Sequence, residues 1–308
     1  MNSRSEIILT LDDIAEPRFQ LIGNKADSLA KLHHAQLQVP KAFILTTLFF
    51  DRMIEKAGVQ SLVHSLQNDL SASEDIQKKI VETSIDESDM SAIFTCYHEY
   101  LHDNNVAIRS SGIKEDMLGA SFAGLYDSFL NISGNDNILF FIKKCIASTF
   151  NERALSYCQK YDIPISSLKT AVIVQESIHA EASGVVFTVH PLKGKDTEML
   201  IEAIFGLGEH LVSGHAVPDR YVYNWYEMLE TERDIALKEK YLESVTSKNE
   251  TDNITQFTQL SPIPHEKIKA EVLSPEQVKL LVLQSLKIQV LYGQPQDIEW
   301  ALYKGSFY

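Results

Sequence analysis

The stretch from Val106 to Ile132 restricts this chain more than any other. VAIRSSGIKEDMLGASFAG opens on the alternation of a strand, and alternation returns at Tyr126, Ser128, Leu130 and Ile132 beside Asp127, Phe129 and Asn131. Two strands flanking a long loop of small residues make a cradle for a ligand. Period two points Val106 and Ile108 to one side and delivers Arg109 to the strand's end, next to the hydroxyls of Ser110 and Ser111 and the carboxylates of Glu115 and Asp116. Arginine offers a planar fork for anionic oxygens, and a loop ending in Ser121, Ala123 and Gly124 lets backbone amides close over a polyanion. The same residues also suit an ordinary surface loop with Arg109 paired to Glu115.

Around this core the pattern predicts helices and strands in alternation. Residues 24–35 place Ala26, Leu29, Ala30 and His33 at helical spacing after Gly23, and Ala42–Leu45 is a buried strand. Residues 47–104 are helical and polar-rich, with loops near 71–75 and 85–89. A helix near 136–160 precedes strands at 171–176, 184–189, 198–204 and 220–225, residues 228–272 are charged and less regular, and a helix over 275–291 leads into QDIEWALY. The expected division is an N-terminal lobe with a helical insertion over 1–105 and the remainder over 106–308.

A formal charge of -14 from 28 basic and 42 acidic side chains opposes nonspecific binding to nucleic acid or anionic membranes, so an anionic ligand must be held by a few local cations. Three cysteines without Cys-x-x-Cys spacing indicate neither a disulfide framework nor a cysteine zinc site. With no signal-peptide core and no apolar run of about 20 residues, the expected compartment is the cytoplasm.

Three further clusters carry chemistry. Gly23, Asn24 and Lys25 put a lysine at a helix start, where unpaired backbone amides suit phosphate; a turn followed by a solvated lysine has the same pattern. VIVQESIHAEASGVVFTVHP ends an apolar strand at Gln175 and Glu176, a combination fit for a nucleobase edge, and IEAIFGLGEHLVSGHAVPD carries Glu209 on a glycine-bent loop. QDIEWA sets Asp297 and Glu299 on one strand face with Ile298 and Trp300 on the other, which makes either a seat for Mg2+ or a solvated acidic edge. Against these stands HEYLH. In a helix His98 and His102 share a face with Glu99 as general base, the pattern of a zinc peptidase, with Glu152 as the one candidate third ligand. The alternative is a polar helix surface with two solvated histidines.

In order, GNKADSL, VPKAFILT, VAIRSSGIKEDMLGASFAG, VQES with SGVVFTVHP, GLGEHLVSG with VPD, and DIEWA resemble the N-terminal nucleotide-binding domain of the phosphoenolpyruvate synthase, pyruvate phosphate dikinase and rifampicin phosphotransferase superfamily, an ATP-grasp relative. The resemblance implies an α/β (α+β), ATP-grasp-like, two-lobed nucleotide-binding domain with a helical insertion. It implies that Lys25 and Arg109 contact ATP phosphates and act in catalysis, and that Ser121, Phe122, Ala123 and Gly124 close over them, with Ser128 also counted among the nucleotide-binding residues. Gln175 is placed near the adenine and Glu202 near the ribose or the nucleotide pocket, while Glu209, Asp297 and Glu299 lie toward Mg2+ and the phosphates. Asn24, Gln36 and Ala42 stand where the family usually has glycine, and Leu125 replaces a common glutamine.

The implied half-reaction cleaves ATP to AMP and passes a phosphoryl or pyrophosphoryl group to a histidine on a swivelling domain or partner chain. It requires positioning and charge neutralisation and no nucleophile from this domain. None of the ten histidines lies in a Thr-Cys-His or similar glycine-rich motif, and a Gln-x-Arg-Pro segment expected after the last strand is not present before Tyr308. The isolated chain is therefore expected to be incomplete as an enzyme, and a nucleotide-binding fragment without turnover is the second reading.

Overall fold

The structure, a computed structural model, describes residues 6–114, 116–117, 120–121, 124–245 and 258–308. The chain divides into two compact units, Met1–Ser177 and Ile178–Tyr308. This division falls later than the expected one at 105/106. The reason is hydrogen bonding: the strand holding Arg109 pairs along its whole length with a strand ending at Glu176, so both belong to the first unit.

The first unit runs β1 (Ile8–Thr10), α1 (Phe19–His34), β2 (Ala42–Leu45), α2 (Thr47–Lys56), α3 (Gln60–Ser65), α4 (Ser73–Glu82), α5 (Glu87–Thr95), β3 (Val106–Gly112), β4 (Asp116–Met117), β5 (Ala120–Ser121), β6 (Ser128–Ile132), α6 (Asn135–Ala147), α7 (Glu152–Lys160) and β7 (Thr170–Glu176). Its sheet has the order β1-β2-β7-β3-β6, with antiparallel neighbours. α1 covers one face through Ile22, Ala26 and Ala30, which pack on Ala42, Ile44, Ala171 and Ile173. α6 packs on β3, β6 and β7. The predicted helical segment is present as α2 to α5, and Arg52 ties α2 to α5 by donating to both oxygens of the buried Asp89 at 3.1 and 3.2 Å. The alternation expected through Ile132 is interrupted. An extra residue bulges β6 between the Val106 and Ile108 pairings, and Asn131 takes a left-handed φ of 59°.

The second unit contains β8 (Ala182–Phe187), β9 (Glu198–Phe205), α8 (Glu209–Val212), β10 (Asp219–Asn224), β11 (Leu229–Asp234), β12 (Lys240–Ser244), β13 (Thr258–Pro262), α9 (Pro275–Tyr292), β14 (Asp297–Tyr303) and β15 (Ser306–Phe307). Its main sheet has the order β11-β10-β9-β8-β14-β15, again antiparallel, and β12 pairs with β13 apart from it. α9 begins on a capping box, Ser274 with Gln277, and has Pro275 in its first turn. Val278, Leu281 and Val282 of α9 share a core with Val186, Ile201, Tyr221 and Trp300 of the sheet. The charged interval is more ordered than its composition predicts. Asp219, fully buried, meets Lys238 at 2.5 Å and also accepts from the backbone N–H groups of Ala236 and Val272, each at 2.9 Å. That network pins β10 to segments far along the sequence. The fold is α+β, helices with antiparallel sheets.

Candidate functional site

The cationic cluster is built by one break in the backbone. α1 is two helical pieces joined at Gly23, whose φ of 72° and ψ of 166° are not helical. A Cβ there would lie 2.1 Å from the carbonyl oxygen of Ser111, so glycine alone allows this approach. The second piece starts at Asn24 and Lys25, and the next backbone amide, that of Ala26, donates to Ser111 Oγ at 3.0 Å. Lys25 therefore stands at a helix start, as predicted, and that start is docked on β3.

Arg109 is the central residue of β3, not its last, because hydrogen bonding to β7 continues as far as Gly112. Its Cα partners are Ile173 on β7 and Ser128 on β6, so Ser128 and Arg109 share a sheet face. Ser111 lies on that face too, whereas the buried Ser110 points to the other. Gln175, paired with Ala42 and Ala107, is on the Arg109 face one diagonal step away, about 7–8 Å. It is buried at 6% exposure, which suits an amide reading the edge of a ligand over a solvated one. Lys25, Arg109, Ser128 and Gln175 are thus brought to one face of one sheet.

For the loop, β4 and β5 pair Asp116 with Ser121 and Met117 with Ala120, so the small-residue stretch folds back on itself. Glu115, Phe122 and Ala123 lie outside the described residues, and Gly124 forms an exposed turn at a φ of 71°. Among the family glycines that this chain replaces, position 36 keeps the glycine conformation: Gln36 has a φ of 58° at the end of α1. Its N–H bonds to His33 O at 2.9 Å and that of Leu37 to Leu32 O at 3.1 Å, the Schellman pattern.

The acidic cluster is built by register. β10, β9, β8 and β14 align Arg220, Glu202, Val185 and Glu299 in one row, each paired with the next. Paired residues share a face, so Glu202 and Glu299 stand on the same side, two strand spacings or about 10 Å apart. Asp297 adds a third carboxylate to that face, about 7 Å along β14 from Glu299. Ile298 and Trp300 face the core, as the alternation predicts. A Cβ on Gly184 would lie 1.9 Å from Glu202 O and 2.8 Å from the Trp300 ring; a bare residue there lets β8 sit tightly between the two carboxylate strands. Glu209 is outside the row, at the start of α8.

Partial loss of water pushes the Asp297 and Glu209 carboxyls up from the ordinary carboxylate range. A carboxylate that is costly to ionise gains from a nearby cation. Among the described residues no group of three or more His, Cys, Asp or Glu gathers as a metal cage. The Asp297 and Glu299 pair still fits Mg2+, which is commonly held by one or two carboxylates and completes its shell with water and phosphate oxygens.

HEYLH does not form the helical pair that zinc requires. Cys96–Tyr100 is a π-helical turn, and His102 lies beyond it with a left-handed φ of 56°, so His98 and His102 do not follow each other along one helical face. His98 Nδ1 instead meets Asp103 Oδ1 at 2.5 Å. Glu152 opens α7. Two residues of the clusters escaped sequence reasoning. Ser111 as the dock for Ala26 has no local signal. Arg220, whose Nε donates to Glu202 Oε1 at 2.9 Å, could have been found by continuing period two through DRYVYN.

A family profile for the pyruvate phosphate dikinase AMP/ATP-binding domain matches residues 19–308. Over 317 residues the chain is 33% identical to a probable phosphoenolpyruvate synthase of Methanocaldococcus jannaschii, covering 98% of this chain and 26% of that protein. It is 31% identical to the phosphoenolpyruvate synthase of Aeropyrum pernix, covering 96% of this chain and 40% of that one. It is 33% identical to the rifampicin phosphotransferase of Bacillus subtilis, covering 99% and 35% respectively. The chain thus spans well under half the length of these relatives.

Proposed function

Because the chain belongs to the family of the pyruvate phosphate dikinase AMP/ATP-binding domain, we propose that it is the ATP-binding part of a dikinase-type phosphotransferase. In this reading, with Mg2+, the α,β-phosphate link of ATP breaks, AMP leaves, and the pyrophosphoryl group passes to a histidine on a separate domain or chain; where only a phosphoryl group stays on the histidine, the γ-phosphate is released as inorganic phosphate through attack by water. One observation carries it: the family match spans 19–308 and so contains both the cationic cluster and the carboxylate face.

Lys25 and Arg109 bind phosphate oxygens, Lys25 as a point charge at a helix start and Arg109 as a fork. Ser128 adds a hydroxyl beside Arg109. Gln175 reads the adenine edge and Glu202 accepts from the ribose. Asp297 and Glu299, with Glu209, would hold Mg2+, which when bound neutralises phosphate charge as AMP departs. The chain's own contribution is orientation and charge balance, the larger part of catalysis in phosphoryl transfer.

The test is calorimetric titration of the chain with ATP and Mg2+, beside Lys25→Ala and Arg109→Ala. Saturable binding by the wild type, weakened at least about tenfold in each variant, is the expected outcome. Unchanged binding in both variants would remove the phosphate assignment. Adding a histidine-bearing partner domain then separates an enzyme from a binding fragment, since only the enzyme releases AMP.

A further inference from the structure

Arg220 has no part in the reading above, yet it is the cation nearest in register to a residue that the reading uses. It is paired with Glu202 across β9 and β10, on the face that also carries Glu299 and Asp297. Its Nε donates to Glu202 Oε1 at 2.9 Å, while the Glu202 side chain keeps only 19% of its exposure. On its other flank Arg220 is in register with Asp234 of β11, so the guanidinium stands between two carboxylates and bonds the one nearer the centre of the sheet.

A glutamate on a strand has three side-chain torsions and, left alone, spreads its carboxylate over several positions. A cross-strand guanidinium removes that spread by fixing one oxygen. The other oxygen, Oε2, accepts no hydrogen bond among the described residues, which leaves it as the acceptor for a ligand hydroxyl. Arg220 also offsets one of the three negative charges on a face that must admit a polyanion.

We propose that Arg220 is a positioning residue that orients Glu202 and thereby sets the preference for a ribonucleotide over its deoxy analogues. This rests on the assignment of Glu202 to the ribose. A site built to bond a hydroxyl discriminates strongly against a ligand lacking it, because the acceptor is then left unpaired. Discrimination fades when the acceptor is no longer held in place.

The experiment titrates the whole chain, with Mg2+ present, with ATP, 2′-deoxy-ATP and 3′-deoxy-ATP, in the wild type and in Arg220→Ala, Arg220→Lys and Glu202→Gln. The wild type is expected to favour ATP over at least one deoxy analogue by about tenfold. Arg220→Ala should reduce that ratio to within about twofold and leave binding of the disfavoured analogue nearly unchanged. Arg220→Lys, which keeps the charge and a donor, should recover part of it. Arg220→Ala with an intact ratio, or with all three nucleotides weakened by one common factor, overturns the inference; if Glu202→Gln still abolishes the ratio, the ribose assignment survives. A wild type that binds ATP without preference removes Glu202 from the ribose, and Arg220 with it. No ATP binding at all removes the parent reading.

Discussion

The cationic cluster of the first unit and the carboxylate face of the second are assembled by different means. On β9 and β14 every relevant side chain follows from period two and from the register, so Glu202, Asp297 and Glu299 share a face as soon as the strands pair. Lys25 reaches its place because one residue, Gly23, leaves helical geometry and one hydroxyl, that of Ser111, receives the amide of Ala26. A sheet face is determined redundantly by many backbone hydrogen bonds. A docked helix start has no ladder behind it: it is set by side-chain packing and by one hydrogen bond from its backbone to β3.

The largest expected effect concerns what holds β10 in register. Asp219→Ala leaves Lys238 buried without its carboxylate, at a cost of about 3–5 kcal/mol. Both tryptophans, Trp225 and Trp300, belong to the second unit, so urea unfolding followed by their fluorescence reads this loss directly. A loss under about 1 kcal/mol would show that register is held without the buried pair.

Next comes the break at Gly23. Gly23→Ala should cost about 3 kcal/mol, from a left-handed φ together with a Cβ pressed on Ser111 O. Gly58→Ala is the control, with a φ of 64° and nothing within 4 Å of the added Cβ, and should cost only about 1 kcal/mol. Equal costs by far-ultraviolet dichroism would mean that the close approach to β3 contributes nothing.

A smaller effect separates charge from register on the carboxylate face. The Asp297 carboxyl lies above its ordinary range because it has lost water. The native state therefore holds the proton more tightly than the unfolded chain. The stabilisation from the protonated form is present below the ordinary aspartate pKa and is lost as pH rises through the raised one. Without Mg2+, Asp297→Asn should be slightly more stable than the wild type at neutral pH and match it in acid. With Mg2+, ATP affinity of the wild type should fall as pH drops through the raised pKa, and the variant should lack that limb. Parallel pH profiles for the two proteins would remove Asp297 from the metal assignment.

The smallest effect runs the other way. Gln36 adopts the left-handed conformation that closes α1, a position where glycine is free of the Cβ penalty. Gln36→Gly should stabilise the chain by about 1 kcal/mol, measured as a higher urea midpoint, with ATP affinity unchanged. A lower midpoint would mean that the Gln36 side chain makes contacts worth more than the strain.

Much of this was legible in the residues. Four consecutive apolar residues over Ala42–Leu45 gave a fully buried strand, and the alternation in DIEWA gave the two-faced β14. The helical pattern over 275–291 gave α9. HEYLH matched the spacing of a zinc helix, but spacing alone does not carry the helix through His102. The bulge at Asn131 was hidden for the same reason: an extra residue leaves the composition of a strand unchanged and alters only its pairing.

The sequence by itself determined elements such as β2, α9 and the two-faced β14, and the family, because periodicity and motif order are properties of neighbouring residues. Tertiary structure alone decided that β3 belongs with β7 and so moved the unit boundary to Ser177, that Ser111 docks the start of the α1 helix, and that Asp219 is neutralised by Lys238. Each of those joins residues far apart in the chain. Whether such a pair meets depends on which strands share a ladder and which loops must close, and no local pattern records that.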